Sequence, residues 1–467
     1  MPTPRFKLRL TGSEHQQLKK HLFPGDGLEA VAVALCGRRE GVPVQILNVH
    51  RLVPIPYDEC KIRRADRVTW STKRLVPLLD EARKRKMSIL KIHSHPTGYP
   101  LFSDTDDISD RDLFESIISW TESDLHASSI MLPDGEMFAR RVSDGGEFEP
   151  FESVMVAGDD IKFWSEAART GRTSEFARRH AQLFGAGTTA KLRELTIGVI
   201  GCSGTGSPLI EQLARLGVGK LILVDPDKVE EKNLNRILNA SHEDAYLERY
   251  KVDVMASAIA RMGFGTELKL LRNNLYDAGV VTAVAECDVL FGCVDSIEGR
   301  HLLNRLSAFY LIPYFDLGVK LVADGNGGID EVCGAVHYIR PDGSSLLSRR
   351  VYTMAQVTAD GLRRTDPTAY RDQVKAGYIT GVQEDRPAVI SVNMLFAALG
   401  ANEFLARLHP YRLDDNADYA TVRASLMQGE FYRQGDGAPC PVLRKYIGRG
   451  DIDPVLDMPS LSNVRPQ

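Results

Sequence analysis

His93 and His95 stand two residues apart at the end of an apolar run, 87–92. Ser103 and Asp106 follow, in the spacing H-x-H-x7-S-x-x-D. If the run is a strand, both imidazoles point to the same side. Two imidazoles and one carboxylate leave a fourth position open on a tetrahedral zinc, the layout of a catalytic rather than a structural site. Glu29 opens an earlier apolar run, 29–36, and could take the proton from a metal-activated water. Ser103 could donate to the oxyanion that forms. Each piece also has a plainer reading. Ser103 and Asp106 alone make an S-x-x-D helix-capping pair, and an isolated H-x-H is usually two surface or core histidines. Their combination, with Pro96 after the second histidine, favours the metal.

A second constellation begins at residue 195. An apolar run, 195–200, stops at Gly201, Gly204 and Gly206. An amphipathic segment with Pro208 near its start follows, and a second apolar run, 221–224, ends on Asp225. Strand, tight turn, helix and strand, with an acid about twenty residues on, make a nucleotide turn. The turn would set backbone N–H groups and a helix N-terminus against phosphate, and Asp225 against a ribose hydroxyl. The glycines alone do not exclude a dehydrogenase, although Ser203 interrupts the dinucleotide fingerprint as G-x-S-G-x-G. The surroundings weigh against hydride transfer. Asn233, Arg236, Lys251, Asp295 and Arg300 follow the turn, and Arg179 precedes it. Attack on the α-phosphate of ATP needs cations to neutralise phosphoryl charge and an acid to hold Mg²⁺. Taken singly, each Arg or Lys is a surface ion pair.

The elements that must position these residues are legible in outline. The pattern predicts a helix over 13–23 capped by Ser13, strands over 29–36 and 44–53, and a helix from Ser71 through Lys84. The apolar face of that helix is Leu75, Leu78, Leu79 and Ala82. A buried strand over 87–92 leads into the histidines. A hairpin over 131–142 turns at Pro133-Asp134-Gly135, and strands are expected at 153–157 and 288–294. Residues 168–174, small, polar and Gly-containing, read as a linker, followed by a helical segment over 175–184.

The first constellation resembles the JAB/JAMM (MPN) metalloprotease family over about residues 1–165. The resemblance implies cleavage of peptide or isopeptide bonds beside the C-terminus of a ubiquitin-like protein. It makes His93, His95 and Asp106 the ligands of one Zn²⁺ and Glu29 the base. The second closely resembles the ThiF/MoeB adenylyltransferases and the ubiquitin-activating enzymes over about 175–450. It does so through the glycine turn, the DxDxVxxxNLxR run, Lys251, the CVDSxxxR segment and the later PAVISVNMLFAALGANEFL. That resemblance implies ATP and Mg²⁺, with Asp225 on the ribose. It sets Asn233, Arg236 and Lys251 around the triphosphate and Asp295 on the magnesium. Arg179, or its neighbour Arg178, would reach the γ-phosphate across a homodimer interface. Asp227 reads as a structural acid.

Two departures stand out. Many relatives carry two Cys-x-x-Cys pairs for a structural zinc; here the positions read Ser345-Leu-Leu-Ser348 and Cys440-Pro-Val-Leu443. Serine does not replace thiolate, so that second zinc is not expected. Nor does any cysteine fall between 334 and 439, where ubiquitin-activating enzymes carry their thioester. Cys202 lies in the glycine turn, and Cys287 and Cys293, at the two ends of a core strand, read as buried thiols, which leaves Cys333 as a weak candidate and direct handover of the acyl-adenylate to a partner's thiol as the alternative.

The 467 residues exceed one typical core. The expected fold is α/β: a JAMM-type α/β metalloprotease domain over 1–167, the linker, and a Rossmann-like ThiF-type adenylation domain over 175–467. With 43% hydrophobic and 26% charged residues the chain is of ordinary globular composition, and its net charge of −4 gives no basic excess to draw nucleic acid or anionic membrane. Its start lacks a signal-peptide core, and seven cysteines without regular spacing suit a reducing compartment, so the cytoplasm is expected. The expected partner is a ubiquitin-like protein ending in Gly, with a conjugating-enzyme-like acceptor. The resemblance associates this domain pairing with bacterial conjugation systems in antiphage defence. The rival readings are sulfur-carrier activation for cofactor synthesis, a dehydrogenase with an unrelated zinc domain, and a scaffold without turnover.

Overall fold

The computed structural model describes residues 4–170, 174–376, 379 and 387–461, so 171–173 of the expected linker lie outside the described residues. The chain divides into two compact units. The described residues of the first lie in Met1–Gly171, Ala308–Leu311 and Tyr446–Asp457, and those of the second in Arg172–Ser307, Ile312–Lys445 and Met458–Gln467.

The first unit is built on a nine-stranded mixed sheet. Strand Val31–Arg39, fifth in the order, is buried along its whole length. Ala32 and Ala34 join one apolar layer with Leu18, Leu22, Leu90 and Ile92. Val31, Val33 and Leu35 join the other, with Leu78, Leu79, Ile89, Phe114 and Ile117. A strand covered on both faces reads as a continuous apolar run rather than an alternation, which is why 29–36 was legible. Helix Gly12–Leu22 covers the first layer; helices Val76–Arg85 and Asp104–Thr121 cover the second. Full burial of side chains such as Phe114 and Ile117 contributes about 1.5–3 kcal/mol each. The strand Ser88–Ser94 (the histidine strand) alternates in the same way. Leu90 and Ile92 face one layer, so Lys91 and His93 face helix Asp104–Thr121 (the aspartate helix).

Several local expectations are corrected. The first helix begins at Gly12, and its N-cap is Thr11, not Ser13, because Thr11 closes a reciprocal capping box with Glu14. Ser71 caps only a short 3₁₀ turn, Thr72–Arg74; the α-helix starts at Val76, with Pro77 in its first turn. The segment expected over 175–184 extends as helix Arg178–Glu194, broken at Gly185, whose φ of 79° only glycine adopts freely. The hairpin pairs Ala127–Met131 with Met137–Val142 around the Pro-Asp-Gly turn.

The second unit contains an eight-stranded sheet. Its first five strands run in the order Glu267–Leu271, Lys220–Val224, Thr196–Ile200, Val289–Gly292 and Tyr314–Ala323, all parallel. Ile329–Ile339, Thr421–Ser425 and Glu430–Gln434 extend it antiparallel. The order reverses between Thr196–Ile200 and Val289–Gly292, and in open α/β sheets ligands bind outside the carboxyl ends of the strands at that reversal. Helix Ile390–Leu408 packs Val392 and Phe396 against Ala424 and the antiparallel strands. Among the described residues no helix is long and apolar enough to cross a membrane.

Candidate functional site

The metal-type site is assembled by three elements. Val31 pairs with His93 in antiparallel register, and Ser94 donates its N–H to the Ala30 carbonyl. Continuing that register sets Glu29 opposite His95, so Glu29, His93 and His95 share one face. The aspartate helix brings Asp106 to the same face. His93 Nε2 lies 3.2 Å from His95 Nε2 and 3.0 Å from Asp106 Oδ1, and His95 Nε2 lies 3.5 Å from Asp106 Oδ2. One donor atom from each residue falls within 4.8 Å of the others. His95 Nδ1 donates to the Tyr99 carbonyl at 2.8 Å. A carbonyl can only accept, so the neutral ring carries its lone pair on Nε2, aimed at the other two donors. Two imidazole nitrogens and a carboxylate converging in this way fit a zinc ion.

Burial and the His–Asp contacts set the electrostatics of the metal-free group. Burial raises the Asp106 carboxyl, but contacts with His93 and His95, in which a ring nitrogen facing Asp106 carries a proton, outweigh it and hold Asp106 well below the usual carboxylate range. Burial lowers His93. It also acts to lower His95, yet the contact with Asp106 leaves that ring raised. Glu29 is 5% exposed, and burial pushes it up to about 7, with His95 opposing and Asp106 adding to the rise. A carboxylate poised there suits proton transfer at neutral pH.

Ser103 meets both readings at once. Its Oγ accepts the Asp106 N–H at 3.2 Å and donates to Asp106 Oδ2 at 2.7 Å, and its own N–H reaches the same Oδ2 at 2.8 Å. The capping box therefore orients the carboxylate that faces the histidines.

The second constellation gathers at the sheet reversal. Gly201, at φ 92°, donates to the Val224 carbonyl at 2.8 Å. A Cβ at Gly206 would fall 1.8 Å from the Gly201 carbonyl oxygen, so only glycine fits there. Both oxygens of Asp225 are held by backbone: Oδ2 by Cys202 N–H at 2.7 Å and Oδ1 by Asp227 N–H at 2.9 Å. Lys251 Nζ lies 2.7 Å from Asp227 and 3.8 Å from Asp225. Burial raises Asp225, with Lys251 opposing. Asn233 Oδ1 accepts the Glu230 N–H at 3.1 Å, and the Arg236 stem passes beside Gly204. Asp295 is exposed three residues beyond strand Val289–Gly292, whereas Arg300 is raised chiefly by the buried Asp316, 3.3 Å from its Nε, with Asp295 adding less. Turn, acids and cations at a switch point fit a nucleoside triphosphate with magnesium. Arg179 is exposed on the first turn of Arg178–Glu194, and no hydrogen bond or ion pair among the described residues joins it to this group, whereas Arg178 pairs with Glu175 at 3.2 Å.

Sequence reasoning missed Asn393. Its carboxamide accepts from Thr205 Oγ at 3.3 Å and lies against Gly204, about 190 residues away in sequence. It also missed Tyr99, which acts through a carbonyl that has no sequence signature.

The cysteine departures have a structural counterpart. Ser345 Oγ donates to Cys440 Sγ at 3.1 Å, and Arg349 bonds Ser344, Asp436 and the Tyr338 carbonyl, so hydrogen bonds hold these segments together. Burial and a hydrogen bond to Glu331 push the Cys333 thiol up to about 11. Burial raises Cys202 and Cys293 as well.

Residues 176–431, more than half of the chain, match the ThiF family, and residues 13–137 match the prokaryotic homologs of the JAB domain. The chain belongs to the ThiF family and carries a JAB-type domain in its N-terminal part. It is 30% identical over 219 residues to ubiquitin-like modifier-activating enzyme 5 of Aedes aegypti, a match covering 43% of this chain and 49% of that one. It is 28% identical over 208 residues to adenylyltransferase and sulfurtransferase MOCS3 of Drosophila sechellia, covering 44% and 45%. The chain thus spans less than half the length of these curated relatives. Among solved structures, E. coli MccB with ATP aligns over 60% of this chain and 75% of its own at 17% identity, with a TM-score of 0.43.

Proposed function

We propose that this chain is a bifunctional enzyme acting on the C-terminus of a ubiquitin-like protein, which one half adenylates with ATP and at which the other half hydrolyses an amide. The observation that carries the reading is the pairing, in a ThiF-family chain, of a built switch-point site with a converging His-His-Asp set. A carboxylate is a poor electrophile because its leaving group would be oxide. Its oxygen attacks the α-phosphorus of ATP, pyrophosphate leaves, and the acyl-AMP carries a better leaving group. Lys251 and Arg236 offset the charge on the phosphates, the Gly201–Gly206 turn presents its backbone N–H groups, Asp225 binds the ribose and Asp295 holds Mg²⁺. Arg179 would complete the site from a second copy of the chain.

In the N-terminal half, His93, His95 and Asp106 would hold zinc, which would supply Lewis-acid activation of water. Glu29 accepts the proton and returns it to the leaving amine, the Ser103 N–H steadies Asp106, and the single Ser103 hydroxyl proton turns from Asp106 to donate towards the developing oxyanion. The raised Cys333 thiol supports direct handover of the acyl group to a partner's thiol. A small conjugation system, of the kind associated with antiphage defence, is the setting that fits both activities.

The decisive test is ATP–pyrophosphate exchange with small proteins ending in Gly. Exchange that requires such a protein and disappears in Asp295→Ala is expected; absence of exchange with every candidate would leave the scaffold reading.

A further inference from the structure

Beside the donor set lies a cluster of four charged side chains, of which Lys91, Asp110 and Arg140 are buried and Asp107 is half-buried. Lys91 Nζ is 2.7 Å from Asp110 Oδ1, at 5% and 0% side-chain exposure. Arg140 Nη2 is 2.7 Å from Asp110 Oδ2, and its Nη1 is 2.5 Å from Asp107 Oδ1. Two cations face two anions, so the cluster is neutral in sum. The Arg140 guanidinium lies between the rings of Phe102 and Phe148, 3.7 and 3.6 Å from their centroids, and the Phe102 ring packs 6.4 Å from that of His93.

The spacing is what gives the cluster a role. Lys91 precedes His93 by two residues on the histidine strand, a step of about 6.6 Å on the same face. Asp110 follows Asp106 by four residues on the aspartate helix, a rise of about 6 Å on the same face. Lys91–Asp110 and His93–Asp106 are therefore two matched rungs between one strand and one helix. Phe114 and Ile117 already seat the helix on the sheet, but apolar packing is non-directional and a single polar rung leaves the helix's height loosely specified. The second fixes its height and rotation, and Arg140 ties in the Phe102 loop that leads to Ser103. Buried ion pairs contribute little net stability against apolar replacements of the same size, and their best-attested use is to specify register.

We propose that Lys91, Asp110 and Arg140 are positioning residues for the metal site, a clamp that sets the distance of Asp106 from His93 and His95. The proposal rests on the zinc reading. Its test is Zn²⁺ affinity of the full chain, measured by chelator competition, together with the visible spectrum of the Co²⁺-loaded chain and the melting temperature of the metal-free chain. Lys91→Met/Asp110→Asn removes one rung while leaving Arg140 paired with Asp107. It is expected to weaken Zn²⁺ binding about 10–100-fold, as loss of groups that orient ligands does, and to alter the Co²⁺ spectrum, with the metal-free melting temperature little changed. Lys91→Arg, which keeps a cation opposite Asp110, is expected to retain affinity. Should the double variant not fold, Arg140→Lys decides: it keeps the charge, loses the fork across Asp107 and Asp110, and is expected to weaken binding about tenfold. A folded variant of either kind with wild-type affinity and spectrum overturns the clamp. Wild-type chain that takes up no Zn²⁺, or His95→Ala that holds it as tightly as wild type, overturns the metal reading instead, whatever the Lys91 variants do.

Discussion

At the scale of residues, burial and chemistry meet at Glu29. Its carboxyl is raised to about 7 in the fold, mainly by burial, against an ordinary value of about 4.3 in the unfolded chain. The protonated form is therefore favoured by folding. The associated stability is fully present below the unfolded value, falls as pH rises through this window, and stays lost above the folded value. In the metal-free chain, Glu29→Gln is expected to raise the melting temperature at pH 8, by the equivalent of about 3 kcal/mol, and to change it little at pH 4. Equal melting at both pH values would show that Glu29 ionises without penalty. The same substitution should reduce amide hydrolysis at least about 100-fold. Lys251→Met is expected to lower ATP–pyrophosphate exchange by about 100-fold or more, because Lys251 is the buried cation between Asp225 and Asp227. His93, His95, Asp106 and the glycines were legible because their spacing is local. Tyr99 and Asn393 were not, since one acts through its backbone and the other arrives from a distant helix.

At the scale of elements, the two turns that begin helices differ in how much change they tolerate. At the aspartate helix, Ser103→Ala loses a capping hydroxyl, a cost of about 1 kcal/mol, and frees Asp106 Oδ2 from one of its hydrogen bonds. A small loss of thermal stability with a larger loss of hydrolysis is expected; equal hydrolysis by the variant would reduce Ser103 to a cap. At the glycine turn, Gly206→Ala has no such latitude. Its Cβ would sit 1.8 Å from a backbone oxygen that cannot swing aside, so the turn itself must distort. Calorimetry should show clear destabilisation, and ATP–pyrophosphate exchange should vanish. Helix boundaries were the weakest part of the sequence reading for a related reason. Thr11 and Ser13 are both acceptable caps by type, and only the reach of the Glu14 side chain back to the Thr11 N–H selects between them.

For the whole molecule, the two proposed chemistries should be separable by substitution. His95→Ala is expected to lose zinc and hydrolysis and to keep exchange; Asp295→Ala should do the reverse; Cys333→Ser should leave both unchanged. Exchange lost in Cys333→Ser would mean that the thiol takes part after all. The sequence by itself determined the two constellations, the family resemblances and the α/β class, because strand–turn–helix patterns and short ligand spacings are written within a few dozen residues. Only the tertiary structure decided what brings Glu29 to His95 across paired strands, what holds Asp106 at its distance from the histidines, and where the glycine turn lies in the sheet order. Those depend on register, sheet topology and buried charge pairing between segments far apart in the chain, and such contacts are set by packing rather than by local residue pattern.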